Sequence, residues 1–231
     1  QMKILLNNND LNEALNNVSN LGFVPTMGSL HKGHLSLIKR SKKESNRTIV
    51  SIFINPNQFN SKKDYKKYPK NIDKDLSILK KLKVDFVYLP SNHHVYNSKR
   101  KFKITLNKKD KILCAKHRKG HFEGVIDVMD RLTKLIKPKK IFMGEKDFQQ
   151  LFLIKNYFKN KFNSKIIPCK TIRDNKKFAF SSRNLQLNNK DLTKARNLIK
   201  NLFSFKKKLK DKENLKNLLK EKKNELKKMF K

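Results

Sequence analysis

The residues best equipped for chemistry lie together in Pro25-Thr26-Met27-Gly28-Ser29-Leu30-His31-Lys32-Gly33-His34. His31-x-Gly33-His34 puts two imidazoles within one turn, after a strand-like run and at the opening of a helix-like one. Backbone N–H groups at a helix start suit phosphate, Gly28 allows a tight turn, and Gly33 lets a nucleotide approach the backbone. Two imidazoles placed there can donate to an α-phosphate as charge builds in a pentavalent transition state. The pattern is neither G-x-x-x-x-G-K-[ST] nor G-x-G-x-x-G. The same histidines could instead form a metal pair, but zinc needs a third ligand, and no spaced Cys or Glu cluster lies near in sequence.

Other loops carry weaker signals. In Asn55-Pro56-Asn57-Gln58-Phe59, Pro56 ends a strand, and the amides of Asn55 and Gln58 can donate to a carboxylate or hydroxyl. Gly144-Glu145-Lys146-Asp147-Phe148-Gln149-Gln150 offers a mobile point charge at Lys146 and a helix cap or ribose partner at Asp147. Its Gly144 permits close backbone approach, and Gln150 lies a turn into the next helix, facing the same loop. Ser181-Ser182-Arg183-Asn184 combines two hydroxyls with a guanidinium, as an anion clamp would. Arg118 precedes the glycine-flanked Gly120-His121-Phe122-Glu123-Gly124, where His121 reads equally as a structural or a catalytic histidine. Asp73 and Asp75 favour a helix dipole, and Asp75 is also a candidate magnesium carboxylate.

The elements that must position these residues alternate as in a parallel-sheet α/β domain. Strands are expected at Leu21–Pro25, Thr48–Ile54, Asp85–Leu89 and Lys140–Met143, with Leu21–Pro25 the first. Helical spacing of apolar residues marks Leu35–Glu44, Ile72–Leu82, Val125–Ile136 and Leu151–Phe162. The loops then gather at the carboxyl edge of the sheet, where open α/β folds bind ligands. Residues 190–231 turn Lys-rich, with leucines at helical spacing and no strand, and read as two surface helices.

The net charge is +38 in 231 residues, with 37% hydrophobic residues. Such a field attracts polyanions. Yet the lysines are spread through nearly every segment beside many asparagines, as AT-rich coding would produce, and no RNP-like, zinc or basic-heptad pattern occurs. No specific nucleic-acid partner is expected, and the charge should help to gather anions. No apolar run reaches the roughly 18 residues of a membrane helix. Cys114 and Cys169 lack C-x-x-C spacing and read as reduced thiols in a cytoplasm. Met2 reads as the natural start, with Gln1 added ahead of it.

In order and spacing over residues 21–188, the chain resembles the pantoate–β-alanine ligases of the H-I-G-H nucleotidyltransferase superfamily. The resemblance is carried by V-P-T-M-G-S-L-H-K-G-H, S-I-F-I-N-P-N-Q-F, the run from Tyr68 to Asp75, G-H-F-E-G-V, F-M-G-E-K-D-F-Q-Q-L and S-S-R-N. It implies a Rossmann-like doubly wound parallel sheet over residues 2–170, and a smaller, truncated, helical lid over 171–231. It implies a reaction in which pantoate attacks Mg·ATP to give pantoyl adenylate, which β-alanine converts to pantothenate and AMP. Carried over residue by residue, Met27, Gly28, Ser29, Leu30, His31, Lys32, Gly33 and His34 hold ATP. Gly144, Glu145, Lys146, Asp147, Ile172, Phe180, Ser181, Ser182 and Arg183 also line the nucleotide. His34, assisted by His31 and Lys146, is catalytic; Gln58 and Gln150 hold pantoate, Gln58 also lying near β-alanine. A homodimer is expected on the same ground.

The chain departs from the family pattern in three places. Tyr68-Pro69-Lys70-Asn71 stands where Y-P-R-T is usual, losing a fork-shaped donor. Asp174-Asn175-Lys176-Lys177 replaces a D-G turn. Nothing resembles the family's last small β-sheet, so a chain ending at Lys231 is expected to bind nucleotide yet turn over poorly. Transfer to another acceptor, as in cytidylyltransferases, is the nearest rival, and the paired Gln58 and Gln150 argue against it. The more distant rival is a basic nucleic-acid binder with vestigial motifs, against which His31, His34, Lys146 and Arg183 all stand intact.

Overall fold

A computed structural model describes residues 1–98, 103–209 and 214–229. The chain divides into two compact units, residues 1–172 with 181–183, and residues 173–180 with 184–231. Ser181–Arg183 groups with the first unit.

The first unit holds six strands: β1 (Lys3–Leu5), β2 (Leu21–Thr26), β3 (Arg47–Ile52), β4 (Phe86–Tyr88), β5 (Lys140–Gly144) and β6 (Lys165–Cys169). All pair in parallel in the order β1-β4-β3-β2-β5-β6. From β2 the chain steps outward through β3 to β4, whereas β5 and β6 return to the other side of β2. The order therefore reverses between β2 and β5, and the crevice beyond their carboxyl ends is the ligand position of a doubly wound sheet. The four expected strands are β2 to β5; Leu21 does not begin the first strand, because β1 precedes it.

The unit's helices are α1 (Asn8–Leu15), α2 (Lys32–Glu44), α3 (Lys62–Lys67), α4 (Ile72–Lys81), α5 (Asn92–Val95), α6 (Cys114–His117), α7 (His121–Ile136) and α8 (Phe148–Phe158). They cover both faces of the sheet. Phe23, Ile49, Phe86 and Ile141 pack with Leu11 of α1, Phe122 and Met129 of α7 and Ile154 of α8. Their strand neighbours Val24, Val50, Val87 and Phe142 point the other way, onto Leu37 and Ile38 of α2 and Leu79 of α4. Burial on both faces explains why these strands read as continuous apolar runs instead of alternating ones. Each such side chain contributes on the order of 1.5–3 kcal/mol by leaving water. Helix α2 lies so close to β2 that a Cβ on Gly22 would fall 2.3 Å from Ser41 Oγ. This tight seat fixes where the start of α2, and its histidines, must sit.

The second unit contains the expected pair of helices, α9 (Asn189–Lys208) and α10 (Leu215–Met229), while residues 210–213 and 230–231 of the expected helical region lie outside the described residues. The Asn188 side chain caps α9 by accepting from Asp191 N at 2.8 Å. Asn201 of α9 donates to Glu225 of α10 at 2.7 Å, and the Lys222 ammonium lies 5.2 Å from the Phe205 ring centroid. The Asp174–Lys177 turn closes without glycine. Lys177 takes the left-handed backbone itself (φ 68°), and Asp174 Oδ1 accepts from Lys176 N and Phe178 N, both at 2.9 Å. Those two bonds offset a strain that a D-G turn avoids.

Candidate active site

The loop leaving β2 turns sharply at two left-handed residues, Gly28 (φ 77°) and Ser29 (φ 51°). Glycine takes this conformation freely, whereas serine is strained in it. Internal bonds hold the turn. Thr26 Oγ1 donates to Ser51 O at 2.8 Å and accepts from Gly28 N at 3.1 Å. The Asp75 carboxylate, at the first turn of α4, accepts from Ser29 N at 2.7 Å and from Leu30 N at 2.8 Å. Ser182 Oγ donates to Ser29 O at 3.1 Å.

His31 then caps α2, its Nδ1 accepting from Gly33 N at 3.1 Å, while His34 Nδ1 accepts from His31 N at 3.4 Å. The rings stack with centroids 4.0 Å apart. Because Nδ1 accepts in both, the proton of each neutral ring belongs on Nε2, which becomes the donor each ring can offer. Burial drives the His34 pKa down to about 3, helped by His31 and the Lys146 ammonium. His31 is lowered too, by burial first and Lys146 second. The pair is therefore neutral near pH ~7, a set of oriented dipoles instead of charges.

Two internal demands shape this loop. The backbone N–H groups of Ser29, Leu30, His31 and Gly33 are engaged within the protein, so these four are not the free donors expected at the helix start. Gly33 is required internally, since an added Cβ would lie 2.8 Å from the His31 ring.

After β3, Gln58 lies half-buried with Nε2 3.0 Å from Met27 Sδ, which brings the N-P-x-Q-F loop to the histidine loop. Asn55 is buried and fully used, and so is not the free donor expected. Its Nδ2 donates to Gln58 Oε1 (3.2 Å) and Gly124 O (3.1 Å), and its Oδ1 accepts from Asn57 N (3.2 Å) and Tyr96 Oη (2.8 Å). His121 resolves as a structural residue. Arg118 donates to its Nε2 at 2.8 Å, so Nδ1–H donates to Gln58 O at 2.6 Å. Burial lowers the His121 pKa, and Arg118 adds to the effect. Gly124 is needed because a Cβ there would fall 2.3 Å from Asn57 O. Tyr96, Arg118 and Gly124 thus support Gln58 from distant parts of the chain.

After β5, residues Glu145–Asp147 form a single 3-10 turn. Lys146 Nζ reaches Asp147 Oδ1 at 3.0 Å and Oδ2 at 3.2 Å, and Asp147 does not use its side chain to cap α8. A Cβ added at Gly144 would meet nothing nearer than Lys146 N at 4.0 Å, so no internal packing demands glycine there. Gln150 is half-buried on the first turn of α8. Arg183 donates to Asp64 Oδ2 at 2.9 Å and covers the Tyr68 ring at 5.4 Å. Burial lowers the Arg118 pKa, and Arg183 adds to it, placing two guanidiniums in one electrostatic neighbourhood. Ser182 is buried behind Ser29, and Ser181 and Ile172 are half-buried. Phe180 belongs to the second unit. The Asp75 oxygens each carry a backbone N–H, which gives this residue a structural task that its expected role as a magnesium ligand did not foresee. Among the described residues no three His, Cys, Asp or Glu side chains form a cluster fit for a metal.

A doubly wound sheet with an H-x-G-H loop on one side of its switch point and a lysine turn on the other defines a Rossmann-like α/β enzyme of nucleotidyltransferase type. The family model for pantoate-beta-alanine ligase matches residues 3–231, and the chain belongs to that family. It is 41% identical over 176 residues to the pantothenate synthetase of Pseudothermotoga lettingae, covering 76% of this chain and 63% of that protein. It is 44% identical over 192 residues to that of Helicobacter acinonychis, covering 81% of this chain and 70% of the relative. The crystal structure of the pantoate-beta-alanine ligase from Francisella tularensis, complexed with beta-gamma ATP and beta-alanine, superposes with a TM-score of 0.83 at 40% identity. That match covers 87% of this chain and 78% of the Francisella one.

Proposed function

We propose that this chain condenses (R)-pantoate with β-alanine at the expense of ATP, releasing AMP and pyrophosphate and making pantothenate for coenzyme A synthesis in the cytoplasm. The observation that carries the proposal is the neutral, stacked His31–His34 pair, with both rings offering Nε2–H beside Lys146 at the sheet's switch point. A pantoate carboxylate oxygen bonds to the α-phosphorus as the bond to the β-phosphate oxygen breaks, and pyrophosphate leaves with the electron pair. The β-alanine amine then bonds to the acyl carbon, the bond to AMP breaks, and the amine loses its proton. The Nε2–H donors of His31 and His34 meet the charge that builds on the α-phosphate. Lys146 adds a positive charge to the departing phosphates, and Arg183 a second. Gln58 and Gln150 hold pantoate against the phosphorus, Gln58 also near the incoming amine, so that positioning supplies much of the rate.

Magnesium enters as part of the ATP substrate. With no cluster of three acidic or imidazole ligands among the described residues, the triphosphate oxygens are its natural partners here. By resemblance to the family the working assembly is a homodimer.

The test is pyrophosphate exchange into ATP with pantoate as the only added acid, followed by addition of β-alanine. Exchange should require pantoate, and AMP with pantothenate should accumulate only after β-alanine is present. Equal exchange with unrelated carboxylic acids, or preference for CTP over ATP, would sink the assignment.

A further inference from the structure

Asp75 has the geometry of a brace. Its carboxylate is 2% exposed, belongs to α4, and reaches across to the loop after β2, where each oxygen accepts one backbone N–H, of Ser29 and of Leu30. Ser29 is a non-glycine residue in left-handed backbone, and its carbonyl is gripped from the other side by Ser182 Oγ. The carboxylate also sits 2.9 Å from where a Cβ on Gly28 would be, so the turn and the acid are fitted to each other. One residue beyond this clamp comes His31, whose ring fixes Gly33 and whose backbone N–H fixes the His34 ring.

We propose that Asp75 is a positioning residue: it holds the strained Gly28–Ser29 turn so that the two imidazoles stand ready, and it acts on the reaction through them and not through a metal ion. A carboxylate suits the site because each of its two oxygens takes one of the neighbouring N–H groups, and bonds to a charged acceptor are stronger than neutral ones. Losing the brace lets Ser29 relax toward ordinary backbone, and the histidines lose their register. The kinetic readout rests on the adenylation proposed above. The structural readout does not.

The experiment compares wild type with Asp75→Asn, Ser29→Gly and the double variant. In Asp75→Asn the side chain keeps one acceptor and presents an NH2 to the other amide, so pantoate-dependent exchange should fall by at least about tenfold in turnover. The free magnesium concentration giving half-maximal exchange should stay where it is in wild type. Ser29→Gly removes the backbone strain, so in the double variant it should restore part of the activity lost in Asp75→Asn. In amide NMR of the unliganded protein, the Ser29 and Leu30 N–H resonances should move upfield in Asp75→Asn as their carboxylate is lost, whether or not the enzyme turns over. A magnesium requirement shifted several-fold upward in Asp75→Asn and overcome by added magnesium, with no rescue by Ser29→Gly, would overturn the proposal in favour of metal binding. Unmoved Ser29 and Leu30 resonances would overturn it as well. Absence of pantoate-dependent exchange in wild type, with the resonances moving as expected, would refute the reaction and leave the brace standing.

Discussion

The two loops at the switch point solve the same problem in opposite ways. The loop after β2 is bonded to itself and to three other segments: Asp75, Ser182 and Ser51 all hold it, and the rings of His31 and His34 accept from the backbone amides of Gly33 and His31. The loop after β5 is one 3-10 turn in which the Lys146 ammonium pairs with its exposed neighbour Asp147. The first presents neutral donors in fixed directions, and the second presents a charge on a flexible stem. Fixed dipoles cost no reorganisation when charge develops on a phosphorus, so they carry directional stabilisation. A mobile ammonium is a poor director but follows an anion as it leaves. On the proposed reaction, rigidity is reserved for the loop that faces the phosphorus undergoing bond change.

The largest effect should come from breaking the rigid side. His34→Ala removes an Nε2–H donor and the acceptor for His31 N, and pantoate-dependent exchange should drop by about 10²- to 10³-fold with ATP affinity only modestly reduced. Single-turnover exchange with a separate ATP titration measures both, and unchanged exchange would remove His34 from the mechanism. On the mobile side, Lys146→Met should cost less, about tenfold in kcat/KM for ATP, and should blunt the salt sensitivity of that parameter, because an exposed charge is screened. Rates at low and at high salt decide it. A larger loss for Lys146→Met than for His34→Ala would reverse the assignment of roles.

The sequence revealed the parts of this site that are local and concealed the parts that are not. The H-x-G-H turn, Gln58 and the G-E-K-D turn could be read because each follows a strand whose apolar run is unmistakable. Asp75 reads in the sequence as a helix-start acid or a magnesium carboxylate, since nothing there shows that it meets Ser29 and Leu30, 46 and 45 residues away. The bond from His121 to Gln58 O spans 63 residues and was equally hidden. Among the elements, β6 was missed because Pro168 argues against a strand, but β6 is the sheet's edge, where a missing N–H costs no ladder bond. Strand β1 is only 3 residues long, and α1 (Asn8–Leu15) is asparagine-rich, with Leu11 its one buried residue. Both fall below what periodicity can register.

The smallest effects concern protonation, and they test whether the rigid side is neutral. In the unfolded chain His34 titrates near 6.5, whereas in the folded protein it titrates at about 3. Between these values the unfolded chain carries a proton that the folded one lacks, so acidification favours unfolding. Stability tied to neutral His34 is complete above pH 6.5 and is lost as pH falls toward about 3; the lowered His31 acts in the same direction. The melting temperature of wild type should therefore fall more steeply from pH ~7 to ~5 than that of His34→Asn, whose side chain does not titrate; carboxylates common to both cancel in the difference. Parallel curves would show that His34 is not held neutral by the fold. Lys146→Met refines the point further. Its ammonium is the last-ranked of the three causes lowering His34, after burial and His31, so removing it should flatten the acid slope only slightly. A large flattening would mean that the mobile charge, and not burial behind the braced turn, keeps the histidines neutral.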